Sequence, residues 1–361
     1  MKNAAYEVER LGDERAMVMT ASRELLGQVD AVVFDCDGVL IDARESYDSV
    51  ILKTAALMVE GFGGVRLQLE GLGRAVIPGI RSTGGFNDDW DTTYALTIFS
   101  FLASVQATAL GKQSVGESNG VSERLRDLVN DFASRNRLAG RASVDSYLRR
   151  RSLETEQVRQ LRDYLDYPMD GVHSRMTRTF DEMYYGSPLF QRTFGLRTAF
   201  WHKEGLIERE RVIVTRGVLN RLRRRLKGER IAMATGRPLV SVRHTLGSLL
   251  GYFNQDASVY LGDGELDPRL ARELQKYRKP SGASLLRASE RLRSKTLLYV
   301  GDSAEDLLMV RDARKTHDGV LFAGIYGVSL SAQRQMEYFT RKGCDVVAKS
   351  VESIPALLER T

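Results

Sequence analysis

The sequence is poor in cysteine, and the two it has are not arranged for bonding. Cys36 and Cys344 lie far apart in a chain of 361 residues. They supply neither a disulfide framework nor a metal-ligand spacing, a usage that fits a reduced cytoplasm. Long apolar runs are also missing. No stretch approaches the roughly 18 residues needed to span a bilayer, so no membrane partner is expected. The first 28 residues lack the continuous apolar segment of a signal peptide. They are charged, with Met17, Val18, Leu25 and Leu26 apolar, and they read as a helical extension over 1–29. No internal repeat is found. The net charge is +6, much of it in Arg221, Arg223, Arg224, Arg225 and Lys227 and in the run 149–151. Aromatic residues do not interleave with these runs, so they read as solvated helix faces and nucleic acid is not expected as a partner. A mildly positive field would still steer an anionic ligand inward.

What is present is ordinary for a soluble globular protein: 43% hydrophobic and 28% charged residues. The length exceeds what one core usually holds, which predicts two domains. From 42 to about 213 the pattern is almost wholly helical. Tyr47, Val50, Ile51, Ala55 and Met58 form one face of a helix over 42–61. Further helices are expected at 92–105, around Leu125 to Phe132, and at 144–150, 153–167 and 176–185. The segment 111–120 is flexible by composition. Between the first helices lies a Gly-rich polar loop, 81–93, with Asp91 placed to cap the helix that follows. Arg81, Asn87 and Trp90 in this loop are candidate substrate contacts. The plainer reading is a helix–helix loop with its aromatics anchored in a core.

After Thr215 helices and strands alternate. Strands are expected at 31–34, 230–235, 258–261, 296–300, 320–325 and 345–347. Alternation of this kind predicts a parallel sheet with helices on both faces, and the first strand must join it across the helical insertion.

Four segments at strand ends carry chemistry. Asp35-Cys36-Asp37-Gly38 follows the apolar run 31–34, and open α/β sheets bind ligands at the carboxyl ends of their strands. Thr235-Gly236-Arg237-Pro238 puts a hydroxyl and a helix start where backbone N–H groups can hold an oxyanion. Arg237 either contacts substrate or pairs with a core carboxylate. Lys279-Pro280 offers a cation for a charged intermediate. Gly301-Asp302-Ser303-Ala304-Glu305-Asp306 ends another apolar strand. With Asp35, its two aspartates can supply hard oxygen ligands and their support for Mg2+. Taken singly, each segment also reads as a turn or a helix cap.

As a set in this order, they resemble the haloacid dehalogenase-like hydrolase superfamily, over 30–42 and about 213–350. The resemblance implies a Rossmann-like, doubly wound parallel sheet over 30–42 and 214–361. It also implies an inserted, mainly α-helical cap over 43–213, of the C1 type found in subfamily IA phosphatases such as those acting on phosphoglycolate. The loop 84–91 resembles one in a poorly characterised subfamily of predicted phosphatases. By the resemblance, Asp35 is the nucleophile and Asp37 the general acid and base. Thr235 and Lys279 bind the transferring oxygens, with Gly236 and Arg237 beside them. Asp35, Asp37 through its backbone carbonyl, Asp302 and Asp306 form or support the Mg2+ site. Asp37 resembles phosphatases and phosphomutases; dehalogenases lack this residue. The function so implied is Mg2+-dependent hydrolysis of a small phosphorylated metabolite through an aspartyl-phosphate. A phosphomutase or phosphotransferase is the alternative, followed by a nucleic-acid-directed phosphatase or a non-catalytic binding protein. Substrate identity and oligomeric state are not written in the sequence.

Overall fold

The computed structural model describes residues 5–12, 14–83, 85–86, 88–109, 119–135, 140–168, 174–329 and 331–360. The chain divides into two compact units, 1–43 with 210–361 and 44–209.

The first unit is built on an eight-stranded sheet. Its strands are β1 (Tyr6–Leu11), β2 (Glu14–Met19), β3 (Ala31–Phe34), β6 (Ile231–Thr235), β7 (Val259–Tyr260), β8 (Leu297–Gly301), β9 (Val320–Ile325) and β10 (Val346–Ala348). The order across the sheet is β1-β2-β10-β9-β8-β3-β6-β7. All pairs from β10 to β7 are parallel. This is the Rossmann-like α/β architecture. The inner strands are buried along their whole length, which is why they read as continuous apolar runs rather than alternating ones. Tyr299, Phe322 and Phe339 pack with Leu285, Leu307 and Val310 in the core cluster. The strand order reverses between β3 and β8, so the carboxyl ends of these two strands flank the crevice where such sheets take ligands.

The N-terminus departs from the helix expected over 1–29. Among the described residues there, only Arg23–Gly27 is α-helical; β1 and β2 form an antiparallel hairpin, and β2 adds to the sheet edge beside β10. The register puts Ala16 and Val18 inward with a period of two. The hairpin is secured from the far end of the chain: the Met19 N–H donates to the Asp345 carbonyl at 2.8 Å and the Tyr6 hydroxyl to the Cys344 carbonyl at 2.8 Å. A strand partner more than 300 residues away overrides local helix preference.

Two short strands, β4 (Ile41–Asp42) and β5 (Arg211–Val212), run antiparallel where the chain leaves the first unit and where it returns. Arg211 pairs with Asp42 across them at 2.9 Å.

The second unit is helical. Its main helices are Arg44–Gly63, Gly73–Arg81, Asp89–Ala109, Asn119–Arg135, Arg141–Arg150, Glu156–Leu165 and Arg175–Phe194. The last is kinked at Gly186, whose φ is 70°, so the helix expected to stop there is followed at once by a second helical stretch that ends at Phe194. The helix after the polar loop begins earlier than expected. Asp88 accepts the Trp90 N–H at 2.8 Å as a capping residue would, and Asp91 instead takes the Tyr167 hydroxyl at 2.7 Å. Phe86 of the loop is buried and packs against Phe132. The expectation for 111–120 falls largely outside the described residues.

The arginine run of helix Arg216–Arg225 is largely used inside the fold. Arg221 forks onto Glu359 at 3.1 and 2.6 Å, Arg223 donates to the Gly251 carbonyl at 2.9 Å, and Arg225 donates to the carbonyls of Leu358 and Gly27 at 2.7 and 3.1 Å. Among the described residues, no helix is long and apolar enough to cross a membrane.

Candidate active site

The site is assembled from the carboxyl ends of β3, β6 and β8. The sheet register pairs Phe34 with Val300 on one side and with Met233 on the other. The residues just beyond these pairs, Asp35, Thr235 and Asp302, therefore leave neighbouring strands at one edge of the sheet. After Asp35 the chain closes a tight loop, in which the N–H groups of Leu40 and Ile41 donate to the Cys36 carbonyl at 2.8 and 3.0 Å. Gly38 turns that loop with φ at +69°. A Cβ there would lie 2.0 Å from the Asp302 carboxylate, so glycine is needed both for the turn and for the approach of the two loops.

Asp35 is buried. Its Oδ1 accepts the Cys36 N–H at 2.7 Å and its Oδ2 the Lys279 ammonium at 2.7 Å. Lys279 also reaches Asp306 Oδ1 at 2.7 Å and lies over the Tyr299 ring. Burial works against the lysine charge, but Asp306 and Asp35 outweigh it and hold the ammonium pKa well above its usual value. Asp35 is pushed up to about 6, chiefly by burial, against the pull of Lys279.

Asp306 is saturated with donors. Its Oδ1 takes the Tyr299 hydroxyl at 2.9 Å besides Lys279; its Oδ2 takes the N–H groups of Asp302 and Ser303 at 3.0 and 2.9 Å and the Ser303 hydroxyl at 2.8 Å. With Ser303 it forms a capping box at the start of helix Ala304–Ala313, so the plain cap reading of this segment holds beside the functional one. Lys279 and these hydrogen bonds keep the Asp306 pKa low despite burial.

Carboxylate atoms of Asp35, Asp302 and Asp306 lie within 4.8 Å of one another and can hold a metal ion. Desolvation, then the charges of Asp306 and Asp35, pushes the Asp302 pKa well up. Three carboxylates crowded around one ammonium leave negative charge that a hard divalent cation would offset, so the donor set fits such an ion. Asp306 already takes five donors against two on Asp35, which leaves Asp35 and Asp302 the better side-chain ligands. The Asp302 loop is braced from behind by Gln335, whose Nε2 donates to the Asp302 carbonyl at 2.8 Å.

Asp37 is held differently. Its side chain is 43% exposed and is gripped by Arg237, whose Nε lies 2.9 and 3.1 Å from the two carboxylate oxygens and whose Nη2 lies 2.6 Å from Oδ1. The arginine side chain is only 1% exposed, and its other edge meets Glu210 at 2.8 and 2.9 Å. Arg237, named both as a substrate contact and as a partner to a core carboxylate, is found here in the second arrangement, paired on both edges with carboxylates. Thr235 is buried at the end of β6, with its Oγ1 accepting the Arg237 N–H at 3.3 Å. Gly236 beside it is exposed, with open space where a Cβ would stand.

The remaining predicted contacts belong to the helical unit. Arg81 pairs with Asp89 at 2.5 Å and with Asp48 at 3.7 Å. Trp90 is half-buried. Asn87 lies outside the described residues. Sequence reasoning missed Tyr299, Glu210 and Gln335. Tyr299 sits inside a buried strand, and Glu210 lies in the alternating stretch Glu208-Arg209-Glu210-Arg211, which looks like a solvated surface.

A family model described as haloacid dehalogenase-like hydrolase matches residues 29–314. The chain belongs to that family. This hydrolase also resembles solved structures in fold. A phosphatase from Thermococcus thioreducens aligns at 24% identity over 81% of this chain and 92% of that one, with a TM-score of 0.50. A structural-genomics target aligns at 17% identity over 92% of this chain and 98% of that one, with a TM-score of 0.59. At these identities the likeness is one of fold. No curated protein matches the hydrolase by sequence.

Proposed function

We propose that this hydrolase is a phosphomonoesterase that works through an aspartyl-phosphate. One observation carries the reading: two aspartates on one turn are held in opposite ways, Asp35 buried against Lys279 and Asp37 half-exposed against Arg237. Carboxylates whose environments differ in this manner divide into separate roles.

Asp35 attacks phosphorus, the ester P–O bond breaks, and the departing oxygen takes a proton from Asp37. Asp37 then removes a proton from water. The water oxygen attacks phosphorus, the bond to Asp35 breaks, and inorganic phosphate leaves with both carboxyl groups restored. Lys279 and the Thr235 hydroxyl hold the transferring oxygens, with Lys279 worth most as charge gathers in the transition state. Asp306 aims Lys279. Asp35, Asp302 and the Asp37 carbonyl would hold the divalent ion, Mg2+ in this reading. That ion supplies positive charge where an anionic nucleophile meets an anionic phosphate. In this reading the helical unit is the C1-type cap and the substrate is a small phosphorylated metabolite.

The test is phosphate release from a panel of phosphorylated metabolites, with Mg2+ and after chelation, paired with intact-mass detection of a phosphoryl group on quenched enzyme. Expected are metal-dependent release and an adduct absent from Asp35→Asn. Transfer to an added sugar acceptor in place of release would make the enzyme a mutase or transferase. Turnover by Asp35→Asn at the wild-type rate would end the proposal.

A further inference from the structure

We infer that Glu210 is a positioning residue for proton transfer by Asp37, acting through Arg237. The inference rests on the phosphomonoesterase reading. The guanidinium is planar, and both of its edges are occupied. One edge meets Asp37 through Nε and Nη2 at 2.6–3.1 Å. The other meets Glu210 through Nη1 and Nη2 at 2.8 and 2.9 Å. A fork held on two sides cannot rotate without breaking both sets of bonds.

Glu210 is itself fixed. Its carboxylate is fully buried, and Thr245 of helix Leu239–Leu246 donates its hydroxyl to Oε2 at 2.7 Å. Its backbone adjoins β5, which is paired to β4. Carboxylate, fork and hydroxyl thus come from three separate segments of the first unit.

Asp37 needs this support because of where it sits. Its side chain is 43% exposed on a loop, and an exposed aspartate samples several rotamers. A general acid must lie within hydrogen-bond reach of the departing oxygen. Arg237 restricts Asp37 from its buried side and leaves the solvent side open. Glu210 has no exposed side-chain surface with which to meet substrate, so its effect on chemistry runs through the arginine.

A merely structural acid would weaken every reaction of the enzyme alike. A positioning residue for the proton donor weakens most the reactions that need the proton. The experiment compares kcat/KM of the full chain with Mg2+ on p-nitrophenyl, p-chlorophenyl and phenyl phosphate. The leaving groups become steadily more basic along this series. Melting curves are recorded alongside. For Glu210→Gln we expect the loss on phenyl phosphate to exceed that on p-nitrophenyl phosphate by about 10-fold, a fraction of the roughly 10²–10⁴-fold that a general acid contributes in full. Thr245→Val removes one hydrogen bond and no charge. It should tilt the series the same way by about 3-fold, and it carries the test if Glu210→Gln does not fold. Equal losses across the series, or none, overturn the inference while wild type remains active and Asp35→Asn remains dead. Absence of phosphate release from wild type overturns the phosphomonoesterase reading instead, and the inference with it.

Discussion

Two buried cations stand on either side of β3, and the contrast between them organises the site. Lys279 bridges Asp35 to Asp306; Arg237 bridges Asp37 to Glu210. Each joins an aspartate of the first loop to a fully buried acid behind it. The cations differ in shape. An ammonium is a compact charge whose three donors can be redirected, whereas a guanidinium is a rigid fork that fixes the plane of whatever it binds. In the proposed reaction the lysine beside Asp35 can transfer its donors to incoming phosphate oxygens, while the arginine beside Asp37 can hold one geometry through the cycle. On that proposal the Asp35 side of the site is built for exchange and the Asp37 side for constancy.

The sharpest break in this comparison is at Asp35 itself. Asp35→Asn keeps the shape of the side chain and removes the proposed nucleophile, so kcat should fall by about 10⁴-fold or more. The variant should still fold, because an amide can accept from Cys36 as the acid does. Circular dichroism with a phosphate-release assay checks both halves. Residual activity within about 10-fold of wild type would remove Asp35 from the chemistry.

Next in size is Lys279. Lys279→Met strips the cation from two buried carboxylates, and breaking such a pair costs about 3–5 kcal/mol in stability. Its kcat should fall by about 10²–10³-fold, the scale of losing one donor to developing charge. Lys279→Arg keeps the charge but replaces the compact head with a fork. It should stay as inactive as the methionine variant while recovering part of the melting temperature. An arginine variant with wild-type turnover would show that charge alone suffices on this side.

How much of this contrast could be read beforehand differs for its two halves. Asp35, Asp302 and Asp306 were legible because their segments follow apolar strands, and a strand end is where an α/β sheet does chemistry; Lys279, between a 3-10 turn and a helix, was legible only as one of the set. Glu210 was not. It lies among alternating Glu and Arg residues, and only tertiary burial separates it from Glu208, which is exposed. Arg237 was legible as a residue but not in its use, since Thr-Gly-Arg-Pro is compatible with an outward or an inward guanidinium. The parallel core was legible from alternation of strand and helix. The N-terminal hairpin was not, because its pairing partner β10 lies at the other end of the chain and short charged strands resemble short charged helices. In the helical unit the periodicity found most helices, but it says nothing of which ionic contacts Arg81 makes.

The mirror experiment on the acid side is Arg237→Lys. Charge survives and the fork is lost, so Asp37 and Glu210 are no longer held in one plane. The expected cost is about 10-fold in kcat, smaller than at Lys279 because Arg237 does not touch the transferring phosphoryl group. Steady-state kinetics with an unchanged KM would sharpen the comparison. Full activity would reduce Arg237 to a neutralising charge and erase the distinction between the two cations.

The smallest effect is expected behind Lys279, where Tyr299 holds Asp306. The Tyr299 hydroxyl lies 2.9 Å from Asp306 Oδ1 and 3.2 Å from the Ala234 carbonyl, deep in the core, and burial with the adjacent Asp306 charge pushes its pKa well up. It therefore stays protonated and donates to Asp306. Tyr299→Phe removes that donor but keeps the ring under the lysine and the packing against Phe322. Four donors remain on Asp306, so the carboxylate is not orphaned. The loss in stability should be about 1 kcal/mol, the net worth of one hydrogen bond. Turnover should fall only about two- to threefold, since Lys279 retains both carboxylate partners. A fall comparable to that of Lys279→Met would mean that the lysine is aimed chiefly by the tyrosine. The exchange side would then be as rigidly held as the acid side, and the contrast between the two cations would have to be given up.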